Sequence, residues 1–198
     1  GGIFTAVSRS GSNDVHGSVY EFLRNEAMDA KNFFDSAGVR IPPLRRNQFG
    51  GMLSGPVLRN RLFLLGNYEG FRQVSGLTVS KAVLSVPARQ GILSPGSAPV
   101  PVADSVRPYL DLYPLPNGRD FGNGAAEYIA RLTTRAWEDF WTVKGDWLAT
   151  PQLRSTVRYT HDSGEVESPD YFGAYQFAND SRYQILHTET KWLPGAAN

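Results

Sequence analysis

Apolar and polar positions alternate with period two along several stretches of the chain, the spacing that gives a β-strand two unlike faces. Trp141, Val143, Gly145 and Trp147 share one face, while Thr142, Lys144 and Asp146 share the other. In the segment that follows, Leu153, Val157 and Tyr159 oppose Arg154, Thr156, Arg158 and Thr160. His16–Arg24 divides the same way, with Ser18, Tyr20 and Phe22 on one side and Gly17, Val19, Glu21 and Leu23 on the other. Arg46–Val57 sets Phe49 and Leu53 against Gln48, Gly50 and Met52. Arg61–Arg72 opens with an apolar run, Leu62 to Leu65, and becomes amphipathic from Asn67. With Arg182–Trp192, the pattern predicts about six antiparallel strands, preceded by a short one at Gly2–Ser8.

The connections differ sharply in length. Leu58-Arg59-Asn60 joins the second and third strands, and Ala149-Thr150-Pro151-Gln152 joins the fourth and fifth. The other connections, near residues 25–44, 74–138 and 163–181, are long, and the middle one is rich in Pro and Gly. Short turns at one end and long loops at the other are the layout of an outer-membrane barrel, with periplasmic turns and extracellular loops. Helical turns are expected within Ser80–Gln90 and Ala103–Tyr113, the latter capped by Asp104 or Ser105 and ended by Pro114 and Pro116. A short helix capped by Asp29 is expected through Phe33 and Phe34. Alternation alone also describes a soluble antiparallel sheet with one face on a core. A secreted or periplasmic β-sandwich that binds carbohydrate therefore stays open, and the face of Trp141, Val143 and Trp147 separates the two. A sandwich buries it; a barrel shows it to lipid.

Composition narrows the functions. The chain has 198 residues, 41% of them hydrophobic and 20% charged, so it can order a domain of ordinary size. Its net charge of +1 provides no field for nucleic acid. It has no cysteine, which excludes a disulfide framework, a cysteine-ligated zinc and a thiol nucleophile. No window approaches the roughly 20 apolar residues of a membrane helix, which leaves barrel strands untouched. The start at Gly1 without Met, and the stop just past a strand, suggest an excerpt of a longer polypeptide.

Order and spacing of short motifs carry a resemblance. The run Ser8 to Asn25 (SRSGSNDVHGSVYEFLRN), then Asp29 to Asp35 (DAKNFFD), Arg45 to Gly51 (RRNQFGG), Ser54-Gly55-Pro56, Arg61-Leu62-Phe63 and Asn67 to Arg72 (NYEGFR) resemble the plug-to-barrel junction of TonB-dependent outer-membrane receptors, specifically the Oar-like group. Weaker echoes fall at Val86-Pro87-Ala88-Arg89 and Leu112 to Asn117 (LYPLPN). The resemblance implies a fragment of a 22-stranded barrel with a plug inside it. Residues 1–11 would end the plug and residues 12–198 would supply the first barrel strands, in the bacterial outer membrane. It further implies partners: membrane lipid, an inner-membrane TonB complex reached through other regions, and a bulky solute such as a siderophore or oligosaccharide. It decides between the two readings of the sheet in favour of the barrel.

Catalysis finds little support. His16, His161 and His187 lack the paired spacing of a zinc site. Asp162, Glu165, Glu167 and Asp170 form an acidic cluster in an expected loop, without the EF-hand pattern for calcium or any selected pair for a glycosidase. No Gly-x-Ser-x-Gly elbow occurs. Gly50 and Gly51 are expected to permit strand bending or close approach of the plug. No enzyme activity and no cofactor are expected. The candidate functional residues are Lys144, Asp146, Arg154 and Arg158, facing the plug or the lumen, and the loop aromatics Tyr109, Tyr113, Tyr171, Phe172 and Tyr175, with Phe33 and Phe34, available to an extracellular ligand.

Overall fold

The computed structural model of the protein describes residues 10–30, 41–172 and 175–192. Six strands form one sheet in sequence order, each antiparallel to the next. They are β1 (His16–Asn25), β2 (Leu44–Leu58), β3 (Leu62–Leu84), β4 (Ala125–Thr150), β5 (Leu153–Pro169) and β6 (Gln176–Trp192). This up-and-down order follows from consecutive hairpins, the simplest way to pair each new strand with the last. β1 and β6 are the outer strands, so the described sheet is open. Gly2–Ser8, Phe33 and Phe34 lie outside the described residues.

Directly paired residues share a face, so the register sorts the side chains of the whole sheet. The row Gly51, Tyr68, Trp141 and His161 extends to Val19 on β1 and Gln184 on β6. The row Leu53, Gly66, Val143, Tyr159 and Leu186 lies below it on the same face. No second layer covers this apolar face among the described residues: Val19 is 90% exposed, Leu186 67% and Trp147 53%. The sandwich alternative fails on that observation, because an uncovered apolar band across six strands suits hydrocarbon and not water. No described helix is long and apolar enough to cross a membrane.

The opposite face is polar and cross-linked. Thr142 pairs with Thr160 at 3.0 Å, and the Thr156 hydroxyl donates to Asp146 at 2.7 Å. Tyr20 reaches over Gly50 to donate its hydroxyl to Glu69, which also accepts from Gln48 at 2.7 Å. A Cβ on Gly50 would lie 2.6 Å from that phenol oxygen. Gly50 thus makes room for an aromatic side chain of its own sheet, a device that shields a strand glycine; the expected plug contact is not what occupies the space.

The two short turns stand as expected. Asn60 takes a φ of 61°, in the left-handed region that asparagine tolerates. The Thr150 hydroxyl accepts from the Gln152 and Leu153 amides, closing the β4–β5 turn. The long connections are shorter than expected. β3 continues to Leu84 and β4 begins at Ala125, with unbroken pairing from Leu62↔Trp147 to Leu84↔Ala125. A membrane strand needs about 9–11 residues, so this hairpin stands well clear of the bilayer. The expected loop over 74–138 reduces to residues 85–124, and Ser80–Leu84 is strand, not helix. The helices that do occur are one-turn pieces, α1 (Val86–Arg89) and α2 (Arg107–Leu110). Ser85 caps α1, whereas the N-cap position of α2 is Val106, which makes no side-chain cap bond, so neither Asp104 nor Ser105 fills that role. The expected loop over 163–181 shrinks likewise, because β5 runs to Pro169 and β6 starts at Gln176.

Candidate functional site

At the end with short turns, the polar face holds a buried charged cluster. Lys144 and Asp146 sit two residues apart on β4, which places both side chains on the inner face. They are 6% and 2% exposed and pair at 3.2 Å. Arg154, across the β4–β5 turn, approaches Asp146 to 3.6 Å. Two cations and a threonine hydroxyl thus surround one buried carboxylate, the condition under which a buried charge is tolerated.

Ser10 completes this node. Its hydroxyl accepts from Lys144 Nζ and from Arg154 Nη2, both at 3.1 Å. The segment leading into β1 therefore lies on the inner face. Gly11 follows, and a Cβ there would sit 2.6 Å from Phe63 Cβ, so glycine is required by close approach to β3 and not only by a turn. Asn13 then fixes the segment to the β2–β3 turn. Its side chain donates to Asn60 Oδ1 at 2.6 Å and accepts from the Asn60 amide at 2.8 Å. Three of the four expected lumen residues, Lys144, Asp146 and Arg154, converge on this node. Arg158 shares their face but pairs in register with Lys144 and His187 and joins no ion pair among the described residues. Reading the sequence missed Asn13 and Asn60, although an Asn in a three-residue turn was a usable signal.

At the opposite end the loops are tied to the long β3–β4 hairpin. Arg89 donates to the carbonyls of Leu110 (2.7 Å), Tyr113 (2.7 Å) and Pro114 (2.8 Å). The two weak motif echoes are therefore one unit, the arginine of the first holding the backbone of the second. Asn117 brackets Ile129, donating to its carbonyl at 2.9 Å and accepting from its amide at 2.7 Å. Glu127 accepts from Ser80 at 2.6 Å and from the Arg119 amide. These bonds, the Ser80 hydroxyl first, hold the Glu127 carboxyl below its ordinary range.

The expected loop aromatics divide. Tyr113 meets Phe172 edge-on at 5.7 Å, and Phe172 lies 6.4 Å from Tyr128. Tyr171 stacks under Lys81 Nζ at 4.1 Å, a cation–π contact. Tyr113, Tyr171 and Phe172 thus dock the β5–β6 connection onto the hairpin, with Tyr128 and Lys81 as partners that sequence reasoning did not single out. Tyr109 and Tyr175 are 67% and 66% exposed and belong to no ring pair among the described residues. The acidic cluster does not converge: Asp162, Glu165 and Glu167 lie along β5, Asp162 facing inward and the two glutamates outward. No group of three His, Cys, Asp or Glu suited to a metal ion occurs among the described residues.

A family model described as an outer membrane beta barrel domain matches residues 7–193. The chain belongs to that family. It is accordingly a protein of the bacterial outer membrane, and its exposed apolar face is the barrel's lipid-facing wall. Curated proteins yield no match to this barrel domain. Solved structures yield none either.

Proposed function

We propose that this barrel domain belongs to an Oar-like TonB-dependent receptor, with residues 1–11 ending the plug and residues 12–198 beginning a 22-stranded wall. In this reading the intact receptor imports a bulky solute, with force delivered by the inner-membrane TonB complex, and performs no chemistry on its cargo. The observation that carries the reading is the hold of Lys144 and Arg154 on Ser10, because a segment entering the first strand from inside the lumen is what a plug requires. The junction motif over Ser8–Asn25 supports it. The charged node acts as the hinge post: it keeps the chain leaving the plug against the wall while the plug itself moves.

Transport is tested in cells carrying the full-length protein, supplied with ferric siderophores as sole iron source or oligosaccharides as sole carbon source. Growth that needs both this protein and a working TonB complex is the expected result. Growth that is indifferent to TonB on every solute that needs the protein would remove the reading.

A further inference from the structure

Three arginines stand together on the lipid-facing side, just above the apolar band. Arg45 on β2 and Arg135 on β4 flank Val74 on β3 in one row. Neighbouring strands lie about 4.8 Å apart, so the two arginines start about 10 Å apart with only a valine between them. Arg72 lies one row lower on β3, between Asn47 and Trp137. Its guanidinium is fixed by the Glu138 carbonyl at 2.8 Å and Asp139 at 2.8 Å, with the Phe49 and Trp137 rings at 5.9 and 6.0 Å.

Arg45 and Arg135 are exposed and form no ion pair among the described residues. The nearby acids do not neutralise them. Asp139 is held by Arg72 and by the Tyr68 hydroxyl. Glu26 accepts from the Leu44 amide. Glu167 faces Arg135 across β4–β5, yet the two are not paired. The three arginines line a groove of about 480 Å³, whose other walls include Leu23, Met28 and Val74. On the same face, a few residues nearer the membrane centre, Gly17, Gly51 and Gly66 leave a second groove of about 640 Å³ walled by Val19, Leu53 and Val143.

We propose that this face binds the phosphorylated glycolipid of the outer leaflet, with a phosphate between Arg45 and Arg135 and an acyl chain in the glycine-lined groove below. Arginine supplies paired donors that match phosphate oxygens. Basic sites beside apolar membrane surface are where charged headgroups are recognised. The order of the two grooves, cationic toward the loops and apolar toward the membrane centre, fits an amphipathic lipid and not a free anion. The assignment is independent of TonB and of any transported solute.

The test uses the full-length protein extracted from outer membranes in mild detergent and weighed by native mass spectrometry. Phosphorylated glycolipid retained per barrel should fall about tenfold in R45Q/R135Q, the weight of one charge-assisted contact. Arg59→Gln, in a turn at the other end, should change nothing. Folding of each variant is read from heat-modifiable gel mobility, and R135Q alone provides a milder variant if the double one does not assemble. In a second arm, delipidated wild-type barrel is offered the glycolipid, its dephosphorylated form or inorganic phosphate, and only the first should be retained. Equal retention by wild type and the folded variants would overturn the proposal. So would equal retention of the dephosphorylated lipid, or saturation by inorganic phosphate alone.

Discussion

The lower part of the β3–β4 hairpin and its upper part are one unbroken ladder, yet they are held by different physics. From Trp141 to Trp147, odd positions on β4 are Trp, Val, Gly and Trp and even positions Thr, Lys and Asp, because one side meets lipid and the other the lumen. Above, only the outer face is polar, while the inner face buries Val83, Ala126 and Ala130. The outer face there carries Arg131 and Thr133 on β4 and Thr78 and Ser80 on β3, and the inner face is docked by Phe172 on Tyr128 and Tyr171 on Lys81. A strand can thus outlive the pattern that identifies it. Pairing continues for as long as the partner strand stays in register, with the apolar positions of the upper part buried on the inner face instead of facing lipid.

The contrast is broken most severely at the charged node. D146A should destabilise the barrel by about 3–5 kcal/mol, since it removes the one carboxylate that balances the buried Lys144 ammonium and Arg154. Urea unfolding in lipid vesicles measures the loss. The double variant K144M/D146L should recover most of it, because removing both charges removes the need for pairing. A similar cost from the double variant would mean that the pair matters for more than mutual neutralisation.

Placing one charge at two heights on the outer face sharpens the comparison further. V143R should cost about 2–4 kcal/mol at the membrane centre. T133R, on the same face of the same strand but above the membrane, should stay within about 0.5 kcal/mol. Equal effects would mean that the two parts of the hairpin share a solvent.

Smaller effects are expected in the loop. Arg89→Ala removes three bonds to carbonyls from a partly exposed side chain, worth about 1–3 kcal/mol of local protection. Hydrogen exchange over 107–117 should rise while the membrane part of β4 is unchanged. The smallest effect is acidic loosening at Glu127. Its folded pKa is depressed, so its contribution is complete above the unfolded value of about 4.3 and is lost as pH falls through the lower folded value. Exchange at Asn117 to Arg119, corrected for intrinsic rates, should increase below about pH 4. E127Q should flatten that dependence; an unchanged profile would assign it elsewhere.

The same comparison explains what could be read from the chain. Strand faces at membrane height were legible, because Trp141 to Trp147 and Leu153 to Thr160 report two unlike solvents directly. So were both short turns and the convergence of Lys144, Asp146 and Arg154 on one face. The upper strands were not. Ser80–Leu84 contains Lys, Ala, Val and Leu with no alternation and suggests a helix, while Ser163 to Pro169 looks like a polar loop. Their partners, Ala125–Ile129 and Arg135–Asp139, make them strands. Long-range ties such as Arg89 to Tyr113 leave no periodic trace at all, and the lipid-facing arginines become a group only when β2, β3 and β4 are placed side by side.

The most direct test of the account is a spin-label scan of residues 141–147 in outer-membrane vesicles, helped by the absence of cysteine from these 198 residues. Labels at 141, 143, 145 and 147 should be open to dissolved oxygen and closed to a water-soluble nickel complex, while 142, 144 and 146 should show no preference for the lipid phase. Accessibility without a two-residue period, or odd positions open to the nickel complex, would contradict a wall with lipid on one side and water on the other.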